Sequence, residues 1–380
     1  MISLIIPTRD RPAELARTLA AIARLDPAPL DAAGGAEVIV VDNASREPEP
    51  PPEALANGVP VGLVRLPANE GAAARTTAAR LARGSWLVML DDDSAPIDAA
   101  FAALLADAPP DVAAIGAEIT LPSGRRDFGG LPEVFVGCGA AVRRDDFLAV
   151  GGYDPSFVYY AEEYDLAARL IARGKRITHD RAFRVLHRKT AAARDMDRSL
   201  RLLVRNSVRV EERWAPAARR DDAIRAVVER CEHIARREDA RAGFRAGLND
   251  IELEGGAEDR DPAAAPTGPL TDAQYDRFIG LAAARDGLAR QLHAAPARTA
   301  RLAQAGKNAH LVERALAESG VEVLPPDDRR SPDALAIATL SPGPILDAAA
   351  DLAAERPTAR VLAPWLWPDA RARSPSGAAA

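Results

Sequence analysis

Strand-type and helix-type segments alternate at short spacing through the first half of this chain, and that rhythm limits what it can fold into more than any other feature. "SLIIPT" (3–8), "AEVIVVDNAS" (36–45), "VGLVRL" (61–66) and "SWLVML" (85–90) are apolar runs of strand length. Between them, "PAELARTLAAIARL" (12–25) carries Leu15, Leu19 and Ile22 at helical spacing, and a second helical segment spans about Ala72 to Arg83. Such alternation predicts an α/β fold whose mostly parallel sheet is sandwiched by helices. In these sheets ligands sit outside the carboxyl ends of the strands. The polar residues gather at those ends: Thr8 and Arg9, then Asp42 and Asn43, then Asp91, Asp92 and Asp93.

The acid triplet is the sharpest chemical signal. Trp86 to Leu90 read as a buried strand that stops at three adjacent carboxylates, and Pro96 ends the extended pairing soon after. Three neighbouring carboxylates repel one another, a cost that folding alone does not explain. A hard divalent cation, Mn2+ or Mg2+, would relieve it and could bridge the acids to a diphosphate. The plain alternative is a solvated Asp-rich turn. The usual phosphate-binding loops are missing: "PTRDRP" follows the first strand without G-x-G-x-x-G, and no G-x-x-x-x-G-K-[ST] occurs anywhere. A nucleotide would therefore be held by strand-end acids and a metal-bridged diphosphate.

Five ordered segments within about residues 2–190 resemble the family 2 glycosyltransferases, which have the GT-A nucleotide-diphospho-sugar transferase fold. "SLIIPTRDRPAELARTLAAI" is similar to the family's opening strand and helix, "VIVVDNAS" to its second strand, "NEGAAAR" (69–75) to its donor loop and "LDDDSAP" to its D-x-D element. "GCGAAVRRDDFLAVGGYDPSFVYYAEEYDLAARLIARGK" (137–175) resembles its acceptor-side segment. The resemblance implies a nucleotide-diphospho-sugar donor bound by Pro7, Thr8, Arg11, Asp42, Gly71, Arg75, Asp91 and Asp92. It implies a metal held by Asp93 and His187, and an acceptor side that includes Gly139, Tyr153 and Glu162. Glu163 stands where the family places the acid that deprotonates the acceptor hydroxyl, and displacement with inversion follows from the same resemblance. Two positions depart from the family pattern: Thr76 replaces a common Asn, and Glu163 replaces an Asp. Each residue also has a plain reading: an Asx turn for Asp42, a solvated first-turn residue for Arg11, strand packing for the glycines, a core ring for Tyr153, a structural imidazole for His187. Acids at a helix start, as at 162, 163 and 165, are favoured by the helix dipole whatever their role.

Composition sets the outer bounds. At 380 residues and 48% hydrophobic the chain can form two or three compact units, and a net charge of −6 argues against a nucleic-acid partner. Cys138 and Cys231 form neither a disulfide framework nor a metal-type spacing, so a reducing, cytoplasmic setting is the simpler assumption. No secretory leader is read at the start, and no apolar run approaches the ~18 residues of a membrane span. After the catalytic region at 1–190, a helical extension is expected at 191–253, a linker at 254–269 and a helix at 270–297. A small α/β unit of unassigned role follows at 298–368, and a disordered tail at 369–380. Arg194, Arg198, Arg201, Arg205 and Arg209 form a basic stripe opposite Leu200, Leu203 and Val204. That helix could lie peripherally at the inner face of a membrane, or pack on its own domain. The expected function is a metal-dependent glycosyltransferase acting on a saccharide or lipid-linked acceptor, in polysaccharide or glycolipid assembly. The alternatives are a catalytically inactive nucleotide-sugar-binding protein and a sugar-1-phosphate nucleotidyltransferase, which would want a glycine-rich basic loop after the first strand.

Overall fold

The computed structural model describes residues 1–189, 195–254 and 268–367. Arg194, nearly all of the expected linker and the whole expected tail lie outside the described residues. Strands β1 (Ile2–Thr8), β2 (Ala36–Asp42), β3 (Val61–Arg65), β4 (Trp86–Met89), β5 (Ser94–Pro96), β6 (Val112–Thr120), β7 (Ala140–Arg143) and β8 (Arg176–His187) form one sheet in the order β3-β2-β1-β4-β7-β6-β8-β5. The β3-β2-β1-β4 half is parallel, as the alternation predicts. Beyond it β7 runs antiparallel to β4 and β6, and β5 antiparallel to β8. No helix lies between β4 and β5 or between β6 and β7, and in both places the chain turns back.

The helices of this region are α1 (Pro12–Ile22), α2 (Pro27–Ala32), α3 (Ala74–Leu81), α4 (Phe101–Ala106), α5 (Arg144–Ala149) and α6 (Glu162–Ala172). Side chains alternate across the strands with period two, which divides the apolar residues between two faces. Leu4, Ile6, Val38, Val40 and Val88 pack under α1, α2 and α4. Ile5, Ile39, Val41, Leu87 and Met89 pack under α3, α5 and α6.

Helices α7 (Met196–Trp214), α8 (Arg220–Arg237) and α9 (Arg241–Glu254) follow, sharing a small core around Leu200, Val204, Val208, Val227 and Cys231. The single helix expected over about 222–248 is two, because Asp239 takes a left-handed conformation (φ 51°) that turns the chain. Within the expected basic stripe, Arg198 and Arg201 are exposed and Arg205 and Arg209 half-buried. Arg205 and Arg209 donate to the carbonyl of Ser156 at 3.1 and 3.2 Å, and Arg201 pairs with Asp250 at 2.7 Å. No helix among the described residues is long and apolar enough to cross a membrane.

The helix expected after Thr271 opens with its capping box of Thr271 and Gln274 but divides at Gly280 (φ 87°) into α10 (Asp272–Phe278) and α11 (Leu281–Ala294). The terminal unit comprises β9 (Thr299–Ala303), α12 (Ala309–Glu318), β10 (Glu322–Val323), β11 (Ala334–Ile337), α13 (Pro342–Glu355) and β12 (Val361–Leu362). Its four strands are parallel, in the order β10-β9-β11-β12. This unit shares its core with the large sheet: Leu131, Phe135, Leu166, Tyr275, Phe278, Leu340, Trp365 and Trp367 belong to one buried apolar cluster. The buried His179 ring lies 5.7 and 5.3 Å from the rings of Trp365 and Trp367, and Arg126 pairs with Asp347 at 2.8 Å.

Candidate active site

The three acids of residues 91–93 follow the end of β4, where Arg11 bridges Asp92 and Asp93 while Asp91 pairs with Arg75. Asp92 turns inward. It accepts from the Thr8 hydroxyl at 2.9 Å and pairs with Arg11 at 2.6 Å, while its carbonyl accepts from Thr18 at 2.6 Å. Burial pushes its carboxyl up to about 6 despite Arg11. Asp93 receives the other Arg11 nitrogen at 2.8 Å and lies 3.3 Å from His187 Nε2. Burial alone would raise Asp93, but hydrogen bonds from His187 and Arg11 outweigh it and hold the carboxyl below its ordinary value. Asp91 remains half-exposed and pairs with the buried Arg75, which also donates to the Leu90 carbonyl at 3.0 Å.

His187 ends β8 and is held on both ring nitrogens. Asp127 lies 3.3 Å and Cys138 Sγ 3.4 Å from Nδ1, opposite Asp93 on Nε2. Burial disfavours the charged ring, but these hydrogen bonds push it up to about 12, and Asp127 falls to about 2. One carboxylate oxygen of Asp91, Cys138 Sγ and a His187 nitrogen all lie within 4.8 Å of one another. The 3.3 Å between Asp93 Oδ1 and His187 Nε2 is also close to the ~3 Å between two adjacent ligands of a small divalent ion bound at about 2.1 Å. Carboxylate and imidazole thus form a donor pair that fits such a cation, with the softer Cys138 thiol, pushed up to about 11 by burial, beside them.

The donor loop is fixed from below by Asn43, whose side chain donates to the Gly71 carbonyl at 3.0 Å and accepts from the Glu70 amide at 2.7 Å. Gly71 takes φ +60°, and a Cβ there would lie 2.2 Å from the Val158 carbonyl oxygen. Glycine is required because the 157–160 segment crosses directly above. That segment is itself strained, with positive φ at Val158, Tyr160 and Ala161. The buried Asn206 of α7 holds it by donating to the carbonyls of Phe157, Tyr159 and Tyr160, each at 2.8 Å. Thr76, the departure from the family's Asn, accepts from the Tyr153 amide at 2.9 Å.

Helix α6 then presents its acids. Asp165 is a structural carboxylate: it takes Arg169 at 2.7 Å, the Trp214 indole at 2.9 Å and Arg213 at 3.3 Å. Glu162 is buried, with Oε2 unpartnered. Glu163 is half-buried and accepts from the Gly137 amide at 3.0 Å. Burial raises both carboxyls above the ordinary value, more so for Glu162, and the charge of Arg75 opposes the rise. Arg75 Nε, Glu162 Oε2 and the Tyr153 hydroxyl are all buried without a partner, and all three belong to groups that act on one another electrostatically. Orphaned buried polar atoms are rare in native proteins, and a cluster of them suits a place where a polar ligand completes the bonding.

The structure brings Thr8, Arg11, Asp92, Asp93 and His187 into one network beside the Arg75–Asp91 pair, with Glu162, Glu163 and Tyr153 within electrostatic reach of Arg75. Asp42 is buried at the neighbouring strand end, accepting from the Ser45 amide at 2.9 Å and lying 3.3 Å from Arg65. It lines a small hollow with Thr8, Arg11 and Leu63. Pro7 precedes Thr8 on β1, opposite Val41 of β2. Gly139 sits against β6, where a Cβ would lie 2.8 Å from the Ile119 side chain. The sequence placed Asn43 at a strand end and Gly137 inside the acceptor-side segment without a role for either, and gave no signal for Asp127 or Asn206; a Cβ at Gly137 would lie 2.7 Å from Glu163 Oε1.

The sequence model described as Glycosyl transferase family 2 matches residues 3–148. An uncharacterized glycosyltransferase of Haemophilus influenzae is 34% identical over 94 residues, which is 24% of this chain and 29% of that protein. The chain thus matches less than a third of that relative's length. Among solved structures, GalNAc-T7 with UDP, GalNAc and Mn2+ aligns at 18% identity and a TM-score of 0.48, over 68% of this chain and 57% of that one. The mannosyltransferase PcManGT of Pyrobaculum calidifontis, in complex with GDP-Man and Mn2+, aligns at 19% identity and a TM-score of 0.44, over 67% and 76%. The match to the family 2 model covers the region that carries the acid triplet, the donor loop and the Arg11 and Arg75 pairs.

Proposed function

We propose that the protein transfers a sugar from a nucleotide-diphosphate donor to a hydroxyl of a saccharide or lipid-linked acceptor, with a divalent cation and with inversion at the anomeric carbon. The observation that carries this reading is the juxtaposition, at the carboxyl ends of β1 and β4, of Asp91 to Asp93 and the cations Arg11 and Arg75, with the carboxylate of Glu163 within electrostatic reach. Thr8, Arg11 and Asp42 would bind the nucleoside, in the hollow they line. Arg75 would meet the diphosphate, for which a buried guanidinium is suited. Glu163, held by the Gly137 amide, would take the proton of the acceptor hydroxyl as that oxygen attacks the anomeric carbon. The nucleoside diphosphate leaves with the electron pair of the broken bond. Asp93 and His187 would hold the cation, with Asp91 and Cys138 within reach. When bound, the cation offsets charge that builds on the leaving diphosphate.

The test is nucleotide binding by calorimetry with UDP, GDP and dTDP, in Mn2+ and in EDTA, followed by product analysis with the matching nucleotide sugar. Asp93→Ala is expected to weaken nucleotide binding strongly in Mn2+ and little in EDTA. Equal affinities for the variant and the wild type in both buffers would remove Asp93 from the metal site.

Cys138 allows a separate check on the cation. Softer ions accept thiolate more readily than Mg2+ does. Titration with Co2+ is expected to produce a thiolate-to-cobalt absorption band that Cys138→Ser abolishes while leaving Mg2+-supported nucleotide binding in place. A cobalt spectrum unchanged by the substitution would show that the thiol only packs against His187.

A further inference from the structure

The terminal α/β unit has a sheet order of the kind that binds ligands, and the loop after its strand β9 reaches helix α6 through Lys307. In the order β10-β9-β11-β12 the chain leaves β9 toward one side of the sheet and β11 toward the other. The carboxyl ends of β9 and β11 therefore flank a topological switch point, where sheets of this kind open a crevice for ligands. The loop after β9 is tightly built: Gln304 and Asn308 have positive φ, the Gly306 amide donates to the Ala338 carbonyl at 2.8 Å, and the Leu340 amide donates to the Lys307 carbonyl at 3.1 Å. A Cβ at Gly306 would lie 2.9 Å from the Thr339 hydroxyl.

This loop projects Lys307 out of its own unit and onto α6. The ammonium donates to the Tyr164 hydroxyl and lies 4.4 Å from the centre of that ring. Tyr164 directly follows Glu163. Among the described residues no carboxylate lies within ion-pairing distance of the half-buried Lys307, in a protein where most arginines near the site have one. The titratable groups that reach it electrostatically are Arg230 and Cys231 of α8, Glu163 of α6 and Glu211 of α7. Glu211 is already engaged, accepting from the Tyr275 hydroxyl at 2.6 Å. Burial and the nearby Arg230 push the ammonium down to about 7, so the site holds its positive charge at a cost that an anion would remove.

We propose that Lys307, backed by Arg230, is an oxyanion subsite beside Glu163, so that the acceptor carries a phosphate or carboxylate group close to the hydroxyl that reacts. The inference rests on the glycosyltransferase reading for the word acceptor, but the subsite itself does not. It also gives the terminal unit a role: residues 304–308 form one wall of the acceptor site, contributed from a separate sheet.

The experiment is a titration of the full chain with glycerol 3-phosphate, with glucuronate and with uncharged glycerol. Each is run with and without saturating UDP and Mn2+, which would block the diphosphate position. The expected result is binding of one or both anionic probes and no binding of glycerol. Lys307→Gln is expected to weaken that binding roughly tenfold or more, the scale of a lost charge-assisted hydrogen bond, and Lys307→Arg to restore most of it. Preference for phosphate over glucuronate, or the reverse, identifies the anion. Equal affinity in wild type and Lys307→Gln, or no binding of either anion to the wild type, overturns the proposal. If Lys307 served only to fasten the two sheets, Lys307→Gln would lower the melting temperature and leave probe affinity unchanged. Loss of UDP binding in the wild type would count against the donor reading alone, since the comparison without UDP still reports on Lys307.

Discussion

Glu163→Gln is expected to lower sugar transfer by roughly 10²-fold or more, the usual scale of a lost general base, while nucleoside diphosphate affinity stays within a small factor of wild type. The amide is nearly isosteric, so its carbonyl oxygen can still accept from the Gly137 amide that now meets Oε1 at 3.0 Å. What is lost is the lone pair of a carboxylate able to take a proton. The raised carboxyl sets the pH dependence. Burial favours the protonated form, so the base is competent only above a value higher than an ordinary glutamate's, and transfer should climb with pH through a correspondingly shifted acid limb. That limb should vanish in the variant, whose residual rate no longer depends on this proton. Steady-state rates across pH, beside calorimetry with UDP and Mn2+, measure both quantities. A variant that turns over normally would return the role to Glu162, whose unpartnered Oε2 makes it the other acid of this helix without a structural engagement at that atom.

The elements that place this chemistry were legible because they depend on local patterns. Strand runs ending in polar residues located β1, β2 and β4, and the acids that follow β4 are held by Arg11 and Arg75. The Thr271 capping box was readable for the same reason, since four adjacent residues specify it. What escaped depends on partners distant in sequence. Asp127 reads as a loop acid until β8 brings His187 against it, sixty residues later. Asn206 reads as one polar residue in a basic helix until the strained carbonyls of 157–160 close on it. The basic stripe left a membrane face and packing on its own domain both open, because charge periodicity shows which side of a helix is charged but not what lies opposite. Opposite it lie the Ser156 and Phe157 carbonyls and the Phe157 ring, 5.6 Å from the Arg209 guanidinium. The left-handed residues Asp239 and Gly280 divided helices that periodicity had joined, since a break preserves the apolar spacing on either side.

Asp165→Ala should separate the acids that hold this site from the acid that reacts in it. Asp165 is buried to 1% relative exposure and neutralises Arg169, which lies four residues on along α6 and is itself buried. Arg169 also donates to the carbonyls of Val150 and Gly152 at 2.5 and 2.6 Å, so it cannot swing out to water without breaking the turn that leads to Tyr153. Removing the carboxylate leaves a guanidinium charge in an apolar setting and strands the Trp214 indole N–H, which now donates to Asp165 at 2.9 Å. Breaking a buried ion pair from one side costs about 3–5 kcal/mol, a large share of the ~5–15 kcal/mol that holds a domain folded. Urea denaturation is therefore expected to show a loss of that size for Asp165→Ala and a clearly smaller one for Asp165→Asn, whose amide oxygen can still accept from Arg169 or Trp214. Glu163→Gln should move the midpoint little in comparison, since its hydrogen bond survives. Helix α7 reaches α6 through this same Trp214 contact and steadies the 157–160 segment through Asn206, so Asp165→Ala should also loosen the loop above Gly71 and weaken nucleotide binding before the protein unfolds. If Asp165→Ala is as stable as wild type and loses only catalysis, the carboxylate belongs to the reaction and the division of labour along α6 is reversed.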